Sequence, residues 1–244
     1  MKNTNLIYGI RVVIEAIDSG KEIDKLFIQK GLNNELYAEL RESLKQVRIP
    51  IQYVPVEKLN RLTRKNHQGV VGFLSEIDYQ NIEQLIPMLY EEGKNPLLLV
   101  LDQVTDVRNM GAIARTAECA GVNAIVLPSR GSAQINADAI KTSAGALLKL
   151  PICRTFNLKT TLQFIKDCGI QLVASTEKTN NLYYDVDFSE PSAIIMGSEE
   201  NGISPEYLKM CNKRAKIPMS GEIASLNVSV SAGIMIYEAI KQRQ

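Results

Sequence analysis

Residues 95–129 read N-P-L-L-L-V-L-D-Q-V-T-D-V-R-N-M-G-A-I-A-R-T-A-E-C-A-G-V-N-A-I-V-L-P-S. Two short runs, 97–101 and 124–127, are apolar throughout. They flank a stretch, 110–120, that reads as a helix closed by Gly121. Runs this short, bounded by Pro, Gly or polar residues, fit strands buried on both faces of a parallel sheet. The pattern continues downstream, with strands expected at 171–174, 193–196 and 215–217 and helices at 137–148, 158–168 and 205–211. Residues 96–244 therefore read as an α/β domain on a parallel sheet. In such sheets ligands bind beyond the carboxyl ends of the strands, so the chemistry is sought in the segments that follow them.

Three such segments stand out. After 97–101, Asp106 or Asn109 is placed to cap the next helix, and Gly111 leaves room for a ligand or a second backbone. Arg115, four residues on, shares that face, either reaching over an anion site or extending from a surface helix. After 193–196, Gly197 and Gly202 bracket the polar turn Ser198-Glu199-Glu200-Asn201, either a ligand-contacting loop or a tight turn before a helix. Neither this loop nor the first carries a dinucleotide or phosphate-loop fingerprint. The third segment is I-P-M-S-G-E-I-A-S-L-N-V-S-V-S-A-G (217–233). Its alternation from Leu226 to Val230 imitates a strand, but Leu226, Val230, Gly233, Ile234 and Tyr237 also form one helical face, with Ser225 as a cap. We read a terminal helix.

Upstream, residues 1–78 read as a small α/β unit, with helices at 8–17, 35–47 and 56–62 and strands at 25–29, 51–54 and 70–74. Residues 79–95, where Pro87 interrupts a helical pattern before a charged, turn-rich stretch, read as a linker. The segment 58–67 holds Lys58, Arg61, Arg64, Lys65 and His67, a nucleic-acid patch or a solvated helix face.

Composition narrows the chemistry. The 244 residues are 45% hydrophobic and 23% charged, enough to bury a core and inconsistent with a disordered chain. The formal net charge is +1, too small for nonspecific coating of nucleic acid, so any such contact needs a local patch. One histidine excludes multi-histidine zinc sites and triads, and no metal site is expected. Cys119, Cys153, Cys168 and Cys211 form no C-x-x-C pair and read as reduced thiols. No apolar run approaches the ~20 residues of a membrane span, and no leader is evident, so a cytoplasmic protein is expected.

Three motifs carry a resemblance: N-M-G-A-I-A-R (109–115), I-M-G-S-E-E-N-G-I (195–203) and the third segment (217–231). With S-A-Q-I-N (132–136) and K-T-S-A-G-A (141–146) between them, they resemble the SpoU/TrmH methyltransferases, knotted SPOUT-class enzymes that methylate ribose 2′-hydroxyls of RNA. Tyr8-Gly9-Ile10 and His67-Gln68-Gly69-Val70 are similar to that family's small RNA-binding domain. The resemblance implies a deep trefoil knot in the C-terminal domain, S-adenosyl-L-methionine as cofactor and a homodimer formed through that domain. It implies that Thr176, Gly197, Ile217 and Leu226 bind the cofactor. Asn109, Arg115, Glu199, Ser225 and Asn227 would form the catalytic polar set, with Glu199 and Asn109 positioning Arg115. Lys58, Arg61, Arg64, Lys65 and His67 would contact RNA, most specifically 23S rRNA at a guanosine of the peptidyl-transferase region. The alternatives are the same chemistry on a tRNA or another rRNA site, a non-catalytic RNA-binding assembly factor, and a nucleotide-binding α/β domain, which the missing phosphate fingerprints disfavour.

Overall fold

The strands of the first 78 residues are apolar on both faces, and each face is covered by its own buried cluster. The computed structural model describes residues 5–222 and 225–244. Residues 1–4, part of the stretch read for a leader, and residues 223–224 of the third motif lie outside the described residues. The chain divides into two units, Met1–Asp78 and Tyr79–Gln244.

In the first unit, β1 (Leu6–Tyr8), β2 (Ile23–Gln29), β3 (Ile51–Val54) and β4 (Val70–Leu74) form a sheet in the order β1-β4-β2-β3. Only β2 and β3 run parallel. On one face Leu26, Ile28 and Val70 meet Ile10, Val13, Ile14 and Ile17 of α1 (Ile10–Asp18) and Leu40 of α2 (Glu35–Lys45). On the other, Phe27, Val54 and Val71 pack with Leu59 of α3 (Val56–Leu62). The helix expected at 8–17 starts at Ile10, because residues 6–8 pair with β4 as a strand.

The two N-terminal motifs meet. Gln68, with φ +50°, turns its side chain so that Oε1 accepts from Ile10 N at 3.1 Å, capping α1. Gly9 N donates to Val70 O at 3.0 Å. A Cβ on Gly9 would lie 3.2 Å from Gln68 Oε1, so the glycine is required by this joint as well as by its φ of +91°.

The second unit is built on six parallel strands: β5 (Leu97–Leu101), β6 (Ala124–Pro128), β7 (Ile152–Thr155), β8 (Gln171–Ser175), β9 (Ser192–Met196) and β10 (Lys213–Ala215). Their order is β10-β8-β9-β5-β6-β7. The chain builds outward from β5 through β6 to β7, then crosses to the other side, so the switch point lies between β5 and β9. Strands β5 and β9 are buried at every residue, as doubly covered strands must be. Helices α4 (Ile82–Glu91) and α7 (Leu158–Asp167) supply one side of the core. Helix α5 (Val107–Cys119) packs with α6 (Ala137–Thr142) and with α9 (Val228–Gln242), while α8 (Pro205–Met210) meets α7.

Three expectations are corrected. Residues 79–95 are not a linker; they belong to the second unit. Helix α4 continues through Pro87 and buries Ile82, Leu85, Ile86 and Leu89. Burial of each such side chain is worth ~1.5–3 kcal/mol, which together exceeds the ~3 kcal/mol cost of an interior proline. The helix expected over 137–148 breaks after Thr142, where Ala144 (φ +52°) and Gly145 (φ +85°) turn the chain into a 3₁₀ turn, Ala146–Leu148. The terminal helix starts at Val228 with Asn227 as its cap, not Ser225, so Leu226 lies before the helix.

Candidate functional site

The loops after β5, β8, β9 and β10 converge at the carboxyl ends of the central strands. Asp106 caps α5, accepting from Arg108 N and Asn109 N at 2.8 Å each, and thereby fixes Asn109 in the first turn. Asn227 caps α9, its Oδ1 accepting from Ser229 N at 2.9 Å. Two helix starts thus present two amides to Glu199 in the turn after β9. Asn109 Nδ2 donates to Glu199 Oε1 at 3.1 Å, Asn227 Nδ2 to the same oxygen at 2.6 Å, and Val228 N at 3.2 Å. Asn227 Nδ2 also reaches Asn109 Oδ1 at 3.0 Å. One carboxylate oxygen therefore gathers residues 90 and 28 positions away in sequence.

Beside this network lies a cavity of about 300 Å³. Thr176, Gly197, Ile217, Ser225 and Leu226 all line it, with Met196 and Val228 as apolar wall and Glu199 at its side. The loops are tied together: Thr176 N donates to Ala215 O at 2.9 Å and Lys216 N to Asn181 O at 2.8 Å. The size matches the lower end of small-molecule sites, and the lining is of the mixed apolar and polar kind that such sites use. Gly197 has a reason beyond ligand contact. A Cβ there would collide with the backbone of Gly202 and Ile203, where the turn closes on itself. Gly111 likewise serves packing: its added Cβ would lie 2.7 Å from Thr142 Cβ and 3.0 Å from Ala139 O, so the glycine lets α6 approach α5.

A second, larger cavity of about 680 Å³ lies on the other side of Glu199, lined by Asp102, Asp106, Asn109 and Arg130 among others. Asp102 is buried, and its Oδ2 accepts from Ser204 N at 2.7 Å, pinning the end of the β9 turn to the end of β5.

Arg115 stands apart. It is exposed on α5 and has no hydrogen bond or ion pair among the described residues, so Glu199 and Asn109 do not position it within this chain; they hold Asn227 instead. Among the described residues no cluster of His, Cys, Asp and Glu suits a metal ion, and no helix is long and apolar enough to cross a membrane.

In the first unit Lys58, Arg61, Arg64 and Lys65 are exposed, whereas His67 is 8% exposed. Its Nδ1 accepts from Gly69 N at 3.0 Å and its Nε2 faces Asn60 Oδ1 at 2.9 Å. An acceptor at Nδ1 and a donor at Nε2 define the neutral ring, which the turn uses fully. His67 is thus a structural residue of the turn, and its expected place among the RNA contacts is not supported by its burial. Sequence reasoning missed Lys25, whose Nζ lies 4.9 Å from the centroid of the Phe27 ring, on the face that α3 also covers.

The geometry can be set beside known proteins. The SpoU rRNA Methylase family model matches residues 96–237, and the model for RNA 2′-O ribose methyltransferase substrate binding matches residues 6–80. A Staphylococcus aureus (strain MSSA476) protein, named for the TrmH family of tRNA/rRNA methyltransferases, is 35% identical over 239 residues, covering 98% of this chain and 96% of the relative. The similarly named YacO of Bacillus subtilis is 32% identical over 237 residues, 97% of this chain and 95% of its own. Among solved structures, an AdoMet-bound rRNA methyltransferase from Sinorhizobium meliloti aligns with a TM-score of 0.62 and 26% identity, covering 97% of this chain and 86% of that one.

Proposed function

From the premise that the chain belongs to the SpoU rRNA methylase family, we propose that it methylates a ribose 2′-hydroxyl of RNA, most specifically of a guanosine in the peptidyl-transferase region of 23S rRNA. It is an RNA methyltransferase that uses S-adenosyl-L-methionine. The observation that carries the reading is the convergence of three distant loops on one cavity against the Asn109–Glu199–Asn227 network.

The cavity fits the cofactor's chemistry. Its aliphatic residues Ile217 and Leu226 suit a flat base, backbone of the 197–202 turn is close at hand, and the Glu199 carboxylate suits a cationic centre. When bound, S-adenosyl-L-methionine supplies an activated methyl group. The chain's own task is to hold the acceptor and to shape the pocket. Asn109 and Asn227 fix Glu199 at the wall between the two cavities, and Ser225 borders the first of them. The larger cavity is the acceptor side in this reading, with Arg130 at its edge for a phosphate. A guanidinium offers a planar fork of donors and no acceptor, so Arg115 serves as a phosphate clamp that orients the hydroxyl rather than as a base. The proton leaves to water or to a second polar group.

A homodimer through the C-terminal unit belongs to the same reading. Val230 and Tyr237, seven residues apart on α9, are 50% and 53% exposed, an apolar stripe suited to a second copy that would bring partners to Arg115. The knotted tail is part of the reading too; closure of the loops after β8, β9 and β10 around one pocket supports it. A cytoplasmic protein belongs to the same reading, in keeping with rRNA as the proposed substrate.

The test is Arg115→Ala assayed on protein-free 23S rRNA and on tRNA with labelled donor. Methyl transfer to rRNA is expected to fall at least 100-fold, with donor affinity within a few-fold of the unaltered protein. Unimpaired transfer would refute the role of Arg115. Incorporation into tRNA alone would replace the rRNA assignment, and no incorporation by the unaltered protein would leave a non-catalytic RNA binder.

A further inference from the structure

The face of the small sheet that carries α3 holds an arrangement of like charges. Strand pairing sets Tyr8 opposite Val71 and Val71 opposite Phe27, so the two rings share one cross-strand row. The next row sets Leu6 opposite Phe73 and Phe73 opposite Lys25. Side chains of such rows point to the same side, and strands lie ~4.8 Å apart, which puts the aromatic rows within reach of one another. Phe27 and Phe73 meet edge to face with centroids 6.1 Å apart.

Three ammonium groups lie over these rings. Lys25 Nζ and Lys58 Nζ are each 4.9 Å from the same Phe27 centroid, and Lys65 Nζ is 5.5 Å from that of Tyr8. The ring faces attract the cations, and the lysine stems cover the rings. None of the three lysines has a carboxylate partner among the described residues. Between residues 43 and 75 the only acidic side chain is Glu57, against Lys45, Arg48, Lys58, Arg61, Arg64 and Lys65. Burial and the neighbouring charge of Lys58 both push the Lys25 pKa below its ordinary value, burial more than the charge. Two cations thus lie over one ring, and neither has a carboxylate partner among the described residues. An anion between them would relieve their repulsion and complete their hydrogen bonding, as a phosphate does for paired lysines.

We propose that Lys25 and Lys58, seated on Phe27, form a phosphate-binding site, and that this sheet face, extended by Lys65 on Tyr8, holds the RNA backbone. The proposal rests on the reading of RNA as substrate and adds Lys25, which lies outside the 58–67 segment. It places the contact on a sheet surface rather than on a helix alone. Lysines act there as point charges without base readout, so they supply affinity and not sequence choice.

The experiment measures binding of in-vitro transcribed 23S rRNA to the full chain across a salt series. The proteins are unaltered, Lys25→Met, Lys58→Met and Lys25→Arg; methionine keeps an apolar stem over Phe27 without the charge. Each methionine variant is expected to bind severalfold more weakly and to lower the salt slope by about one, while Lys25→Arg restores both. Wild-type affinity and slope in the methionine variants overturn the proposal. So does an equal loss in Lys25→Arg, which marks a packing role only. Labelled-methyl transfer to the same rRNA by the unaltered protein separates the two failures: transfer with unchanged variant binding overturns this site alone, whereas neither transfer nor binding overturns the RNA reading as well. Binding of an acidic protein in preference to rRNA, lost in the same variants, also overturns it.

Discussion

Glu199 accepts three N–H groups on one oxygen, and each donor has a different job. Replacing it with alanine leaves Asn109 and Asn227 without their shared acceptor and loosens the first turn of α9. We expect a loss of about 1 kcal/mol in urea unfolding, since the group is exposed, and a fall in methyl transfer of at least tenfold. Gly197→Ala is expected to be worse for the fold. Its Cβ meets the backbone of Gly202 and Ile203, and backbone yields less than a side chain tip, so about 1–3 kcal/mol should be lost together with donor binding measured by calorimetry. Little of this was legible at the residue scale. The three motifs named Asn109, Glu199 and Asn227, but their mutual bonding, and the absence of Arg115 from it, are products of tertiary folding. His67 and Lys25 show the same limit: a chemically suggestive histidine is spent on a turn, and an inconspicuous strand lysine is brought to a cation cluster when α3 folds back over β2.

At the scale of elements, Asn227 separates two roles. Its Oδ1 caps α9, while its Nδ2 bonds Glu199 and Asn109. Asn227→Ala should cost about 1 kcal/mol as a lost cap. Asn227→Asp keeps a capping oxygen but sets a carboxylate against Glu199, so stability should largely return while methyl transfer does not. Equal activity in the aspartate variant and the unaltered protein would remove the network from the reaction. The end of the same helix is held by Arg243, whose guanidinium donates to the carbonyls of Phe188, Asn95 and Glu190 at 2.8 Å and of Pro96 at 3.3 Å. Elements with unbroken apolar runs, such as β5 and β9, were readable because burial on both faces demands such runs. Strand β7 escaped notice, as an edge strand of four residues that carries Arg154. Helix α4 was hidden by Pro87, whose local penalty is outweighed only by burial that the sequence does not display.

For the whole molecule, alkaline pH offers a check on the core. Burial pushes the Cys153 thiol up to about 12 and that of Cys211 up to about 11, from an ordinary value of 9.0. In the unfolded chain these thiols ionise near their ordinary value, while the folded state keeps them protonated. The unfolded state then binds fewer protons, so stability should be unaffected below about pH 8 and fall as pH rises through 9 toward 12. Cys153→Ala should flatten that fall in denaturant midpoints measured across the range, at the cost of a lower midpoint at neutral pH. The division into two units, with the sheet order of the second, followed from alternating runs in the sequence only as far as fold class; the placing of β9 between β8 and β5 did not.

The cavity beside Glu199 has walls from the ends of β8, β9 and β10, which are sheet neighbours but leave the chain at residues 175, 196 and 215. No fragment lacking any one of these strands can possess it. Occupancy therefore counts intact molecules, and ligand at 100 times its dissociation constant should raise the unfolding free energy by about 2.7 kcal/mol, seen as a higher melting temperature. Under the proposed function that occupant is the methyl donor, and its removal should return the melting temperature to that of the empty protein.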